Sequence, residues 1–197
     1  MIKKLTDPEV LKALEAHAEQ FDFILVPGFK NSGPEHWQSF WEREIELFHR
    51  IEQSKWEQRD IVLWIDAIGR MLAKRKRPAI LIGHSLGALA SSCVIASGDL
   101  DIVGGMFVAP AEPMRFAAED RVPHQTLPVP TVVVASHNDK LISFARAKAL
   151  ADGWGADFID VGEAGHINSE AGFGRWPYGL TILKELADRI AASQKAD

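Results

Sequence analysis

The chain has 197 residues and a mass of 21.8 kDa, a length typical of one domain rather than two. Apolar residues make up 47% and charged residues 25%, an ordinary globular balance that excludes a disordered, collagen-like or disulfide-rich chain. The formal net charge of −5 argues against nucleic acid or an anionic membrane as a partner. We therefore expect a single domain over residues 1–197, with residues 1–20 as a helical extension.

The one cysteine and the hydropathy pattern indicate the cellular compartment of the protein. Cys93 can form no internal disulfide and belongs to no cysteine-rich metal site, so we expect a buried, unreactive thiol. No signal peptide is readable at the amino terminus, and no apolar stretch approaches the ~18 residues that span a membrane. The sequence predicts a cytoplasmic protein without a metal or other cofactor.

Short apolar runs alternate with longer segments of helical period, a pattern typical of a parallel sheet covered by helices on both faces. We expect a three-layer α/β/α sandwich whose mostly parallel sheet has about six strands. In chain order, the sequence predicts helix 7–17, strand 23–26, a helix opened by Pro34, a short strand at 50–54, helix 61–74, strand 78–83, helix 86–96, strand 102–109, strand 131–135, helix 141–152, strand 157–161 and a helix opened by Trp176-Pro177.

Two of these assignments depend on periodicity. Residues 61–65 are rich in strand-forming side chains, but their apolar positions continue a helical series through Ile68 and Leu72, so we interpret the segment as helix. In the helix opened by Pro34, the apolar face is assigned to Trp37, Phe40, Trp41, Ile45 and Phe48. The short strand at 50–54 then follows that helix.

A nucleophile is indicated by Gly83-His84-Ser85-Leu86-Gly87, which matches the G-x-S-x-G pattern between a predicted strand and a predicted helix. Such a turn holds the serine in a strained backbone that projects its hydroxyl outward. Glycine is needed on either side because a Cβ there would clash across the tight turn. The sequence therefore predicts that Ser85 is a catalytic nucleophile.

A serine nucleophile needs a general base and a carboxylate that orients the base. In this architecture the order along the chain is serine, acid, histidine, each at the carboxyl end of a strand. Asp139 and His166 follow the predicted strands in that order, which predicts a Ser85, Asp139, His166 triad. Glu112 and Asp160 remain open as alternative acids.

Other residues are candidates for the surrounding pocket. The oxyanion hole is expected to use the backbone N–H of Leu86, directly after the nucleophile, and that of Phe29, in the loop after the first strand. His36 either lines the pocket or caps its helix. Trp37 and Trp176 lie near the predicted catalytic edge and are candidate substrate contacts, whereas His84 is expected to point away from the nucleophile.

The proline-rich interval 110–130 is too short for a lid domain. Without a lid there is little apolar surface to bury a long acyl chain, so we expect short acyl groups to be preferred.

Several motifs together resemble the small α/β-hydrolase family that includes retinoblastoma-binding protein 9: Leu25-Val26-Pro27-Gly28, Asn31-Ser32-Gly33-Pro34-Glu35-His36-Trp37, Gly83-His84-Ser85-Leu86-Gly87, Ser136-His137-Asn138-Asp139, Gly165-His166-Ile167-Asn168 and Ala171-Gly172-Phe173-Gly174-Arg175-Trp176-Pro177. The resemblance implies a compact α/β-hydrolase fold without a lid domain, serine hydrolase activity and the triad Ser85, Asp139 and His166. The helix predicted at 7–17 departs from the family pattern.

The sequence thus predicts a cofactor-free, carboxylesterase-like serine hydrolase that cleaves a small ester, or an amide or thioester, through an acyl-enzyme. Its expected partner is a small-molecule acyl substrate, with no nucleic acid and no membrane, and the oligomeric state stays open. Two alternatives remain, because a fold does not fix a reaction: a protein-interaction module on a hydrolase scaffold, and a non-hydrolytic enzyme such as a haloperoxidase or lyase.

Overall fold

The computed structural model describes residues 7–195. Within this part of the chain, the strands are β1 (Asp22–Val26), β2 (Phe48–Arg50), β3 (Ala79–His84), β4 (Ile102–Val108), β5 (Thr131–Ala135) and β6 (Asp157–Asp160). The α-helices are α1 (Pro8–Ala18), α2 (Trp37–Glu44), α3 (Ile61–Leu72), α4 (Leu86–Ser97), α5 (Phe144–Trp154) and α6 (Pro177–Ser193). Short 3₁₀ turns occur at Pro113–Phe116 and Ser169–Ala171.

The strands form one parallel sheet in the order β2-β1-β3-β4-β5-β6. This arrangement confirms the predicted α/β fold with a sheet of six strands. The chain runs outward from β1 to β2 and then returns to place β3 on the other side of β1. Loops that leave the carboxyl ends of strands on either side of such a reversal enclose a crevice, the usual ligand site of an open α/β sheet.

Both faces of the sheet are covered by apolar side chains. Successive residues of a strand point to opposite faces, so Ile80 and Leu81 of β3 belong to different core clusters. One cluster includes Trp64 of α3 and Trp154 of α5, and the other includes Trp41 of α2 together with residues of α1 and α6. Burial on both faces explains why the central strands are continuous apolar runs.

Helix α3 confirms the interpretation of the segment that begins at Ile61. Asp60 caps it by accepting a hydrogen bond from the Val62 N–H at 3.0 Å. Its buried positions, Ile61, Trp64 and Ile68, form one face of the helix against the sheet. The helix ends at Leu72, two residues before the predicted end.

The predicted helix opened by Pro34 and the predicted strand at 50–54 need correction. The helix begins at Trp37 and ends at Glu44, and Ile45 is already extended, with φ −134° and ψ 110°. Phe48 therefore belongs to β2, where it pairs with Phe23 of β1. A buried aromatic side chain fits either a helix face or a strand, so periodicity alone extended the helix too far.

The predicted helix 7–17 is observed as α1, and its apolar face packs on α6. Residues 1–6 of the predicted extension lie outside the described residues. Helix α5 begins at Phe144 rather than at residue 141, because the Ser143 hydroxyl caps it by accepting from the Arg146 N–H. Within residues 7–195, no helix combines the length and the apolar character needed to cross a membrane.

Candidate active site

The turn between β3 and α4 holds Ser85 in a strained backbone. Its φ of 55° lies in the left-handed region, which a residue with a side chain rarely adopts. Backbone hydrogen bonds fix this conformation, because the Ser85 N–H donates to Val108 and the Ser85 carbonyl accepts from Ala88 and Ala111, each at 3.1 Å. The predicted strand-to-helix turn around Ser85 is therefore present.

The glycines around Ser85 are required by close backbone approaches. A Cβ on Gly83 would lie 2.6 Å from the Gly87 carbonyl oxygen, inside the turn. A Cβ on Gly87 would lie 2.1 Å from the Val26 carbonyl oxygen, so this glycine lets α4 approach the end of β1. A Cβ on Gly28 would lie 2.8 Å from the Ser85 Cβ, which shows how closely the loop after β1 approaches the serine.

His166 and Asp139 form a buried pair. The Nδ1 atom of His166 lies 2.7 Å from Oδ2 of Asp139, and their side chains are 10% and 2% exposed. The other carboxylate oxygen of Asp139 accepts from the Leu141 N–H at 2.8 Å. A carboxylate on Nδ1 orients the imidazole and leaves Nε2 to face a reacting group.

Ser85 and His166 line the same cavity, whose volume is about 400 Å³. The cavity lies over the carboxyl ends of β1 and β3, where the strand order reverses. Between these two side chains, both within the described residues, no direct hydrogen bond is formed. Bonds between catalytic groups are often long in the absence of substrate and shorten when it binds.

Two backbone N–H groups are available beside Ser85. Leu86 is the first residue of α4, where the N–H has no acceptor within the helix. The Phe29 N–H follows Gly28, which touches Ser85, and it has no acceptor among the described residues. The structure therefore keeps both predicted oxyanion donors unpaired and close to the serine.

The two alternative acids pair elsewhere. Glu112 accepts from the Arg146 guanidinium at 3.3 Å, and Asp160 lies 2.7 Å from the exposed ring of His137. The carboxylate that contacts His166 is Asp139. The geometry thus favours Asp139 over Glu112 and Asp160 as the orienting acid.

A polar network joins the loop of Asp139 to the loop of His166. The amide oxygen of Asn138 accepts from the Ser136 hydroxyl at 2.8 Å and from the Gly165 N–H at 2.7 Å. The Ser136 oxygen in turn accepts from the Ala164 N–H at 2.9 Å. Sequence reasoning gave these side chains no role, although both occur in the Ser136-His137-Asn138-Asp139 motif.

Three histidines that line the cavity, His36, His84 and His166, are in successive ring contact. The ring centroids of His36 and His84 are 4.7 Å apart, and those of His84 and His166 are 4.8 Å apart. Burial, reinforced by the Arg50 guanidinium and by His166, lowers the pKa of His36 to about 3. Burial, together with the neighbouring His36 and His166, also lowers the pKa of His84 well below its ordinary value.

His36 has both of the roles that the sequence left open, because it caps α2 and also lines the cavity. Its Nδ1 accepts from the Gln38 N–H at 3.2 Å, which caps α2, and the residue also lines the cavity. Its Nε2 is buried without a hydrogen-bond partner among the described residues. A substrate contact for His36 therefore stays a prediction.

The expectation for Trp37 and Trp176 needs correction, because both side chains lie in the core and not in the cavity wall. Trp37 is fully buried, and its indole N–H donates to the Ile167 carbonyl at 3.0 Å. The two rings pack edge to face with centroids 5.2 Å apart. Their position near the catalytic edge serves to support the loop of His166.

Two further kinds of reactive site are a metal-binding cluster and a reactive thiol, and the described part of the chain holds neither. Within residues 7–195, no group of three or more histidine, cysteine, aspartate or glutamate side chains is placed to hold a metal ion. Cys93 is half-buried, and burial raises the pKa of its thiol to about 11. At neutral pH the thiol is protonated, so it is a poor nucleophile.

Comparison with known proteins agrees with this geometry. Residues 23–185 match the model of a family described as serine hydrolase. A Pectobacterium atrosepticum protein described as a YdeN-like hydrolase is 49% identical, with a TM-score of 0.90 over 92% of this chain and 98% of that chain. A search of curated proteins found no match.

More distant structures share the fold. The ydeN gene product from B. subtilis is 19% identical, with a TM-score of 0.69 over 85% of this chain and 98% of that chain. Est1E from Butyrivibrio proteoclasticus, solved with ferulic acid bound, is 14% identical, with a TM-score of 0.63 over 90% of each chain.

The fold and these matches define a hydrolase of the α/β class. The chain belongs to the serine hydrolase family, whose model covers most of its length.

Proposed function

We propose that the protein hydrolyses a small carboxylic ester through an acyl-enzyme formed on Ser85. One observation carries the proposal: the buried pair of His166 and Asp139, 2.7 Å apart, lies at the cavity that holds Ser85 on its strained turn. A nucleophile, a histidine and an orienting carboxylate are the three groups that acyl transfer by a serine requires.

In the first step, the Ser85 oxygen attacks the carbonyl carbon of the ester while His166 Nε2 takes the hydroxyl proton. The carbonyl oxygen becomes an oxyanion, which accepts hydrogen bonds from the N–H groups of Phe29 and Leu86. Asp139 stabilises the imidazolium without taking its proton. When the tetrahedral intermediate collapses, the bond to the alcohol breaks, and His166 gives its proton to the leaving oxygen.

In the second step, a water molecule replaces the alcohol. His166 Nε2 takes one proton of the water as its oxygen attacks the acyl carbon. The bond from that carbon to Ser85 then breaks, the serine oxygen regains the proton from His166, and the free acid leaves. Within this scheme, no redox group or metal takes part.

An ester is favoured over an amide on chemical grounds. An ester carbonyl is more electrophilic than an amide carbonyl, and an alkoxide is a better leaving group than an amide anion. The Ser85, Asp139 and His166 positions also support the resemblance to the family of retinoblastoma-binding protein 9, which we retain as a proposal.

The test is covalent labelling of the pure protein with a fluorophosphonate probe, followed by turnover of para-nitrophenyl acetate. We expect labelling at Ser85 and a burst of nitrophenol equal to the amount of enzyme. Ser85→Ala and His166→Ala should each abolish both signals, and the double variant should be little worse than either single one, since a triad acts as a unit.

Ser97→Ala is the matched control, because it removes a serine at the far end of the same helix α4. Circular dichroism would show that each variant is folded. Wild-type protein that is folded but gives no labelling contradicts the proposal and favours the alternative, a protein-interaction module on a hydrolase scaffold. Retained acyl-enzyme formation in Ser85→Ala would contradict the assignment of the nucleophile.

A further inference from the structure

Three positively charged side chains line the cavity without a carboxylate partner. Within residues 7–195, Lys30, Arg59 and Arg115 form no salt bridge. Elsewhere in the fold, Arg50 and Arg77 each lie within 3.0 Å of a carboxylate oxygen. Exposed cations such as Arg70 and Lys74 are also unpaired among the described residues. What distinguishes Lys30, Arg59 and Arg115 is therefore that all three line one cavity.

The Phe29 ring brings two of the three cations together. The Lys30 ammonium lies 5.8 Å from the Phe29 centroid, and the Arg59 guanidinium lies 5.3 Å from it. Phe116 meets the same ring edge-on at 5.8 Å, and Arg115 directly precedes Phe116 in the 3₁₀ turn. The ring attracts Lys30 and Arg59, but like charges repel, so an anion between them would relieve the repulsion.

The carboxylates at the cavity do not supply that anion. Glu112 is paired with the Arg146 guanidinium, which offsets its charge. Among the described residues that line the cavity, the other carboxylate is Glu170, in the turn after His166. The wall around Phe29 is thus positively charged in a protein whose net charge is −5. This local reversal of sign would attract a small anion.

We propose that the substrate is an anionic ester, with a carboxylate beside an apolar segment. The carboxylate would bind among Lys30, Arg59 and Arg115, and the apolar segment would lie against Phe29 and Phe116. The proposal rests on the proposed function, because Phe29 also provides an oxyanion N–H and so places the charged wall next to the reacting carbonyl. Three exposed cations at the edge of one cavity of about 400 Å³ fit a small anion better than a polyanion.

The test compares kcat/KM for matched charged and neutral esters. On the acyl side, para-nitrophenyl hydrogen adipate is compared with para-nitrophenyl heptanoate, and the rate without enzyme is subtracted. On the alcohol side, 3-carboxy-4-nitrophenyl butyrate is compared with para-nitrophenyl butyrate. We expect the charged ester of one pair to be preferred ~10-fold at low salt, because its carboxylate is attracted by three exposed cations.

The preference should disappear at about 1 M salt, where charges are screened beyond about 3 Å. It should also fall to about twofold in an Arg59→Gln, Arg115→Gln double variant, in which Lys30 still contributes one charge. Arg70→Gln, Lys74→Gln is the matched control: it removes two positive charges from a surface of α3 and the turn after it, and should keep the wild-type preference. Thermal unfolding confirms that both double variants are folded.

Three results would overturn the proposal, and they separate its failure from that of the proposed function. If Ser85 is labelled by the fluorophosphonate probe but neither charged ester is preferred, the anionic substrate is wrong and the proposed function stands. The same conclusion follows if the cavity variant and the control show equal preferences. If Ser85 is not labelled at all, the proposed function fails and this inference fails with it.

Discussion

The Nε2 atom of His84 lies 2.9 Å from the carbonyl oxygen of His166. A carbonyl oxygen can only accept, so Nε2 carries the hydrogen, and burial keeps the ring neutral by lowering its pKa well below the ordinary value. His84, the residue before Ser85, therefore fixes the backbone of His166, the proposed base, through a hydrogen bond. Through this bond, the turn that positions Ser85 also positions His166.

His84→Phe should slow catalysis without weakening substrate binding. The ring would still fill the space, but the loop of His166 would lose its hydrogen bond, and a small misplacement of a catalytic group can lower a rate by up to about 100-fold. We expect kcat for para-nitrophenyl acetate to fall about 10-fold with little change in KM. His84→Gln restores a donor and should recover part of kcat; equal losses in both variants would contradict a positioning role.

Asp139→Asn should lower kcat by roughly 10³- to 10⁴-fold, because an amide favours the wrong tautomer of His166. Glu112→Gln and Asp160→Asn are the controls, since these carboxylates pair with Arg146 and His137 instead. Their kcat values should stay close to that of the wild type. A large loss in either control, with activity retained in Asp139→Asn, would show that the acid is misassigned.

His36 should make the protein less stable in acid. Its pKa is about 3 in the folded chain, below its ordinary value of 6.5, so the unfolded chain binds a proton in this window that the folded chain does not. The free energy of unfolding therefore falls as pH falls from about 6.5 to about 3, by up to about 1.4 kcal/mol per pH unit.

His36→Asn should reduce this loss, because asparagine keeps an oxygen that can cap α2 and has no proton to bind. Urea unfolding at pH 7 and pH 5 would measure the difference, which we expect to shrink by about 2 kcal/mol in the variant. His124→Asn removes an exposed histidine and should leave the difference unchanged. An unchanged difference in His36→Asn as well would contradict the buried neutral state of His36.

Arg50 anchors the loop that carries Phe29, the proposed oxyanion donor. Its guanidinium lies 2.9 Å from Glu42 and donates to Asn31 Oδ1 and the Ser32 carbonyl at 3.2 and 3.1 Å. This loop contains two successive residues with positive φ, Lys30 at 68° and Asn31 at 66°. Strained backbone of this kind persists only where surrounding contacts hold it.

Arg50→Lys should therefore lower both stability and kcat. A lysine cannot reproduce the planar fork, so we expect a loss of about 2 kcal/mol in the free energy of unfolding and about a 10-fold fall in kcat. Arg77→Lys is the matched control, because Arg77 pairs with Asp22 at the amino ends of the strands, away from the cavity. It should lower stability alone; an equal fall in kcat would contradict a specific effect of Arg50 on the loop.

The sequence carried enough information for the elements whose signals are local. The glycines beside Ser85 follow from the steric demands of a tight turn, so the strand-to-helix turn could be predicted and Ser85 proposed as the nucleophile without coordinates. Chain order alone placed Asp139 after β5 and His166 after β6, and parallel pairing of those strands brings the two loops together.

The sequence did not predict the contacts between residues that are distant along the chain. The bond from His84 to His166 and the anchoring of Asn31 by Arg50 join residues far apart in the chain, and no periodicity encodes them. Trp37 and Trp176 were misplaced for the same reason, since proximity to the catalytic edge does not tell whether a ring faces the cavity or the core. The boundary at Phe48 was missed because an aromatic residue suits both helix and strand.

The lack of a lid should limit the acyl chain that the site can bind. Between Ala111 and β5, the described chain forms only a 3₁₀ turn at Pro113–Phe116 and irregular loop. Phe29, Phe116 and Leu141 give the cavity of about 400 Å³ a short apolar wall. A CH₂ group buried against such a wall gains about 0.8 kcal/mol, which corresponds to about a fourfold rise in kcat/KM.

In a series of para-nitrophenyl esters, kcat/KM should rise with acyl length from two to about six carbons and then level off, because further CH₂ groups remain in water. Phe116→Ala should flatten the rise, since it removes part of the apolar wall, whereas Met114→Ala should not, because Met114 is 69% exposed. The measurement is the slope of log kcat/KM against chain length. A value still climbing at ten or more carbons would show that the acyl group finds a longer apolar surface than this wall, and would refute the argument from the missing lid.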